Sequence, residues 1–393
     1  MEKQLLHTPE GVRDIYNSEC EKKILIEDRI HSVFKGYGYN DIETPSFEFF
    51  DVFNRERGSV ASNNMFKFFD RNNNTMVLRP DFTPAIARCA AKYFENDNNP
   101  IRLCYIGNTF INNSSYQGRL KETTQAGCEL INESGAMADA EMIALMIESI
   151  LSTGLEDFQV EVGHAGFFNG LTKAAGLSTD ATKELKAIIR NKNLFSIEEL
   201  LKRENIDEKY IDVFYKLPQM FGNVDILSKA VSMTDEETCL AAVSHLKQVY
   251  DLLKIYGFEK YVTFDLGVLS GLDYYTGVIF KAYTYDVGEP VGNGGRYDRL
   301  IGQFGNDKSS IGFCITIDLL LLAIMRQKVN LTIKKERKLI VYDNESLYDA
   351  IRLARFFRNS GIPVVISENE FNTEAFDEVV FADKSTLERY GIK

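Results

Sequence analysis

The chain has 393 residues, more than one hydrophobic core usually holds, which predicts two or three domains. Apolar residues make up 45% and charged residues 26%, an ordinary globular balance, and no run of about 18 apolar residues predicts a membrane span. The net charge of −12 weighs against a dedicated nucleic-acid binder, because such proteins present a basic surface.

The chain opens Met1-Glu2-Lys3-Gln4, with no basic-then-apolar leader, so a cytoplasmic location is expected. Apolar positions 24, 26, 30, 33 and 34 predict a helix over residues 18–35. Gly36, Gly38 and Pro45 break that pattern, and residues 42–50 read as extended. Asparagines at 72–74 predict a hairpin between residues 65–70 and 75–78. Residues 81–94 suit a helix, 101–109 and 123–130 suit strands, 138–151 an amphipathic helix, and 158–162 a strand. From about 171 to 256 Lys, Glu, Leu and Ile recur at helical spacing, which predicts a helical insertion. Strands return at 262–269 and 278–285, followed by a glycine-rich turn at 292–295 and a buried helix over 311–325. A charged linker leads to a strand–helix–strand–strand tail at 339–342, 346–359, 364–367 and 378–382.

The expected architecture is α+β: a mostly antiparallel sheet flanked by helices, with the helical insertion and a small C-terminal α/β unit. The expected divisions are a core over 1–325, a linker over 326–337 and a C-terminal domain over 338–393. The six cysteines (20, 89, 104, 128, 239 and 314) show no Cys-x-x-Cys spacing and read as reduced, mostly buried thiols. His7, His31, His164 and His245 show no metal-ligand spacing. No metal and no cofactor is expected.

Four segments carry a resemblance. They are Pro9-Glu10-Gly11-Val12-Arg13-Asp14, Tyr37-Gly38-Tyr39 through Pro45, Leu78-Arg79-Pro80-Asp81-Phe82-Thr83, and Gly271-Leu272-Asp273-Tyr274-Tyr275-Thr276-Gly277 followed by Gly294-Gly295-Arg296-Tyr297-Asp298. In this order, over about residues 5–325, they resemble the histidyl-tRNA synthetase family. That resemblance implies a class II aminoacyl-tRNA synthetase-like fold and a self-dimer through the segment around 37–45. It also implies that Asp81 and Thr83 hold an amino group. Gln125 and Glu129 would contact the backbone end and the imidazole of histidine, with Tyr274 and Tyr275 lining the ring.

The departures from the family matter more. Adenylation brings a carboxylate to the α-phosphate of ATP, and fixed cations must meet the charge that builds there; arginine suits this because its planar fork binds phosphate bidentately. The family places arginines in three motifs, and this sequence has Ile111, Ser270 and Leu319 at those positions. One such contact is worth ~100–1000-fold in rate. Three neutral positions predict a chain without catalytic residues.

The plainer readings stand beside these. Asp81 also suits a helix cap, Gln125 and Glu129 also read as a polar row on one strand face, and Tyr274 and Tyr275 point to opposite faces of an extended segment. Residues 292–295 lack the Gly-Lys-Ser/Thr ending of a phosphate loop. Arg296, the retained cation, reads most simply as a salt-bridge partner. The tail from 338 carries ten acidic and seven basic residues, net −3, so a phosphate-gripping surface is not evident.

A synthetase-like chain with neutralised catalytic positions and a kept pocket is similar to the regulatory subunits of ATP phosphoribosyltransferase. That similarity implies a short-form catalytic subunit as partner in a hetero-octamer, a role in the first step of histidine biosynthesis, and histidine as a ligand. It implies no membrane and no nucleic acid as partner. The alternatives are an active histidyl-tRNA synthetase and a non-catalytic tRNA-binding paralogue.

Overall fold

In the first helix, α1 (Asn17–Gly36), Ile26, Ile30 and Phe34 follow one another at four-residue spacing, and all three are fully buried. Burying each is worth ~1.5–3 kcal/mol over leaving it in water. At the end of α1 Gly38 adopts φ +79° and turns the chain into β1 (Asn40–Asp41). The computed structural model describes residues 6–54, 60–113, 119–191, 193–267, 274–331, 336–371 and 373–392. It divides into two units, residues 1–331 and 332–393.

Next come β2 (Phe47–Phe49), α2 (Phe50–Phe53) and the hairpin β3 (Lys67–Phe69) with β4 (Thr75–Leu78). The hairpin turn is held by Asp70 Oδ1, which accepts from the Asn72 and Asn74 amides at 2.8 Å each, with Asn73 at φ +64°. Pro84 sits in the first turn of α3 (Thr83–Tyr93). Strands β5 (Ile101–Phe110) and β6 (Glu122–Ile131) pair antiparallel over their full length, and α4 (Ala136–Ser152) follows.

After β7 (Phe158–His164) the chain turns helical: α5 (Ala165–Ala174), α6 (Thr179–Arg190), α7 (Leu194–Arg203), α8 (Glu208–Lys216), the two-residue β8 (Phe221–Gly222), α9 (Asp225–Val231) and α10 (Glu237–Tyr256). Side chains start several of these helices: Ser178 accepts from Ala181 N at 3.1 Å and Asp207 from Lys209 N at 3.0 Å. The sheet is completed by β9 (Val262–Asp265), β10 (Val278–Thr284), β11 (Gly292–Arg296) and β12 (Ser310–Thr316), and α11 (Ile317–Arg326) closes the unit.

Nine strands form the main sheet in the order β1-β5-β6-β12-β11-β10-β7-β9-β8. Only β1–β5 and β7–β9 pair in parallel. Helices α1, α4, α10 and α11 bury one face in the main core, and α3 covers part of the other through Phe82, Ile86 and Ala90. The uncovered remainder of that second face holds the candidate site.

Two expectations from the sequence are corrected. Residues 292–295 are not a turn but the central strand β11, paired with β10 and β12. The glycines are there because neighbouring side chains fill the space: a Cβ on Gly294 would lie 2.3 Å from the Phe280 ring. Residues 311–316 are not helical but form β12, where Ile311, Phe313 and Ile315 alternate onto the core face. The helix begins only at Ile317.

The second unit contains β13 (Lys338–Val341), α12 (Leu347–Asn359), β14 (Val364–Ser367), β15 (Glu378–Phe381) and α13 (Lys384–Arg389). Its three strands are parallel, ordered β14-β13-β15, over a core that includes Ile340, Leu353 and Phe357. Among the described residues no helix is long and apolar enough to cross a membrane.

Candidate functional site

Strands β6, β10, β11 and β12, the start of α3 and the segment at 274–275 surround a cavity of about 440 Å³. It gathers Asp81, Thr83, Gln125, Tyr274 and Tyr275 from positions up to 194 residues apart. Asp81 does two things at once. Its Oδ1 accepts from the Thr83 amide at 3.3 Å, securing the start of α3, while Oδ2 accepts from the Tyr274 hydroxyl at 3.5 Å. Tyr274 and Tyr275 both line the cavity, with ring centroids 5.0 Å apart and nearly perpendicular. Strand alternation does not separate them, because this segment is not a strand.

Glu129 sits elsewhere than the sequence reading put it. It shares a face of β6 with Gln125, but it is fully buried and does not line the cavity. Its carboxyl accepts from Thr83 Oγ1 at 2.8 Å and from the Tyr297 hydroxyl at 2.5 Å. Gly312, directly opposite on β12, leaves the room: a Cβ there would lie 1.7 Å from Glu129 Oε2. Burial pushes the Glu129 carboxyl up to about 8 despite hydrogen bonds that favour the charged form. It therefore stands behind the wall, fixing Thr83 and Tyr297.

Gln125 has a different environment. Its Oε1 is buried and has no hydrogen-bond partner. The residue lines this cavity and an adjoining one. Three cavity side chains bearing an amine, guanidinium or amide escaped the sequence reading. Lys281 lines the wall from β10, where a lysine within Val-Ile-Phe-Lys-Ala-Tyr was the available signal. Burial lowers its pKa. Asn293 comes from β11, and Arg190 reaches the cavity from the end of α6, where no local pattern marks it.

The adjoining cavity, about 590 Å³, holds Ile111, Asn113 and Leu319. Two of the three neutral positions named above thus meet in one place, beside Leu321, Leu322 and Met325. Ser270 lies outside the described residues. The adjacent carboxylate, Asp318, is already committed. It accepts from the Thr124 amide at 2.6 Å and pairs with Lys23 Nζ at 3.4 Å. Arg119, on the rim, pairs with Glu289 at 2.7 Å, and Arg13 with Glu19 at 2.7 Å.

Arg296, retained after the glycine strand, faces inward and away from both cavities. It binds buried Asp139 at 2.8 and 2.5 Å and Asp298 at 3.2 Å, and His245 holds the other Asp139 oxygen at 2.6 Å.

This mainly antiparallel sheet, with its pocket on the open face, is the fold of class II aminoacyl-tRNA synthetases. The histidyl-tRNA synthetase family model matches residues 11–320. An ATP phosphoribosyltransferase regulatory subunit from Acetivibrio thermocellus is 39% identical over 93% of this chain and 87% of its own. One from Caldanaerobacter subterraneus is 35% identical over 96% and 99%. The solved Bacillus halodurans protein described as an ATP phosphoribosyltransferase regulatory subunit/histidyl-tRNA synthetase superposes with a TM-score of 0.87 at 31% identity, covering 96% of this chain and 98% of that one. A histidyl-tRNA synthetase from Nostoc shares the fold, with a TM-score of 0.79 at 20% identity over 98% and 90%. The chain belongs to the histidyl-tRNA synthetase-like family of ATP phosphoribosyltransferase regulatory subunits.

Proposed function

We propose that this chain is a cytoplasmic, non-catalytic subunit that activates a short-form ATP phosphoribosyltransferase in the first step of histidine biosynthesis, and that it senses histidine in the inherited pocket. The observation that carries the reading is the contrast between adjoining cavities: Asp81, Thr83 and the tyrosines remain around one, Leu319 stands in the other, and Ile111 and Gln125 lie on the wall they share. Adenylation needs fixed cations at the phosphate. Apolar side chains there, with Asp318 taken by Lys23, remove that support.

The pocket suits a free amino acid. Asp81 offers charge to an ammonium group, and the buried, unpartnered Gln125 acceptor suits an N–H donor. Leaving such an acceptor buried and unmet costs ~1–3 kcal/mol, which a bound ligand returns as affinity. Lys281 and Arg190 are the cations available to a carboxylate. Glu129 acts through Thr83 and Tyr297 rather than by touching the ligand. Histidine bound here transmits to the partner only as far as its affinity differs between two states of the assembly. The assembly in this reading is a hetero-octamer whose regulatory chains pair through the segment around 37–45.

Histidine-dependent pyrophosphate exchange tests the loss of catalysis: no exchange is expected, and robust exchange makes the chain a synthetase. Mixing with the short-form catalytic subunit tests the partnership. The pair is expected to exceed the catalytic subunit alone, and equal activity overturns the assignment.

A further inference from the structure

On the face opposite the pocket, at the edge of the main sheet, three elements bring three different donor atoms together. His31 projects from α1, Asp41 ends β1, and Cys104 lies within β5. The parallel ladder sets Asp41 directly beside Cys104, and the Ile42 amide donates to the Cys104 carbonyl at 2.9 Å. The turn through Gly38 brings β1 back against α1, so His31 faces the same point. Asp41 Oδ1 accepts from His31 Nε2 at 2.6 Å and from Cys104 Sγ at 3.5 Å. The three ligand atoms lie within 4.8 Å of one another. In the sequence these residues are 10 and 63 positions apart, so no spacing motif could show them.

Imidazole, thiolate and carboxylate are the donor set of zinc-class ions, whose bonds run ~2.0–2.3 Å in a tetrahedral shell. We propose that His31, Asp41 and Cys104 form a three-ligand site for a divalent transition-metal ion, with water at the fourth position. The three donors come from helix and sheet rather than from loops, so the backbone holds them ready. Lys35 Nζ donates to Asp41 Oδ2 at 3.0 Å, which orients the carboxylate and leaves Oδ1 for the ion. The surrounding recess, about 770 Å³, is also lined by Glu27, Asp28 and Glu43, whose charge favours a cation. Arg79 lines it too, but its guanidinium is held by the carbonyls of Asn108 and Thr44 at 2.7 Å each.

Binding balances as follows. The Cys104 thiol releases its proton to solvent, His31 carries its single ring proton on Nδ1, and Nε2, Sγ and Oδ1 each donate a lone pair to the ion. The thiolate and carboxylate together neutralise its two charges, and the His31–Asp41 hydrogen bond opens to admit it.

Cobalt(II) alone, titrated into the metal-free full-length protein, tests the site. One ion per chain is expected, with a thiolate-to-cobalt charge-transfer band that zinc(II) bleaches. Cys104→Ser should abolish the band, and His31→Ala or Asp41→Asn should weaken binding at least ~10-fold. Because Cys104 is buried, its variant is checked for folding by circular dichroism; if it fails to fold, the two rim variants decide. Absence of a band in the wild type overturns the proposal. So does wild-type affinity in both His31→Ala and Asp41→Asn.

Discussion

Two cavities adjoin on one face of this sheet, and they have had different fates. Around the first, Asp81 is held by Thr83 and Tyr274, and Glu129, behind the wall, holds Thr83 and Tyr297, while Gln125 Oε1 is left without a partner. Around the second stand the aliphatic Ile111 and Leu319, and its carboxylates Glu19, Glu289 and Asp318 are paired with Arg13, Arg119 and Lys23. In the function proposed above, the first cavity is the recognition half of the site and the second is its former reactive half, rebuilt as ordinary packing. The recognition half is wired into the sheet, so its loss would cost stability as well as binding.

Substitutions in the two halves should separate on this basis. The largest effect is expected at Gly312→Ala, whose methyl group meets both the Glu129 carboxyl and the Cys128 carbonyl. A loss on the order of 4 kcal/mol is expected in urea unfolding; a loss below about 1 kcal/mol would show that Glu129 is not confined there.

Glu129→Gln tests the same wall by pH. Below about 4.5, its ordinary value, the carboxyl is protonated in both folded and unfolded chains. As pH rises from there to about 8, the unfolded chain sheds the proton first, so wild-type stability falls across that window and levels off above it. The fall is on the order of 5 kcal/mol, and the glutamine variant should lack it. Identical pH profiles for the two proteins would refute a protonated Glu129.

Asp81→Ala should weaken histidine binding by about 10–100-fold in calorimetry, the worth of a charge-assisted contact of ~1.5–3 kcal/mol. Unchanged affinity would move histidine out of this pocket. The smallest effect is expected on the rim of the second cavity. The Arg119–Glu289 pair is exposed, so Arg119→Ala should cost under about 1 kcal/mol and leave histidine affinity unchanged. A large loss of binding there would erase the division between the halves.

Much of the site was legible because its residues sit in dense strings. Pro80-Asp81-Phe82-Thr83 and Tyr274-Tyr275 announced themselves locally, and both line the cavity. Glu129 was misread because burial depth is not a local property: its place behind the wall depends on Gly312, 183 positions away, having no side chain. Lys281 was missed because a lone cation on a strand looks like surface until the sheet closes over it, and Arg190 because an exposed arginine at a helix end carries no local mark. The glycines of β11 were read as a turn, since glycine usually marks one; Phe280 and Phe313 instead pack into the space they leave.

By itself the sequence determined most of the elements, the helical insertion and the α+β class, since periodicity and motif strings are written along the chain. Tertiary structure alone decided which polar groups face a cavity and which are sealed behind it. It also decided that Arg296 turns inward to Asp139, and that His31, Asp41 and Cys104 share one corner. The reason is physical: burial, protonation and coordination depend on what lies within a few ångströms, and most of those neighbours come from other strands and helices.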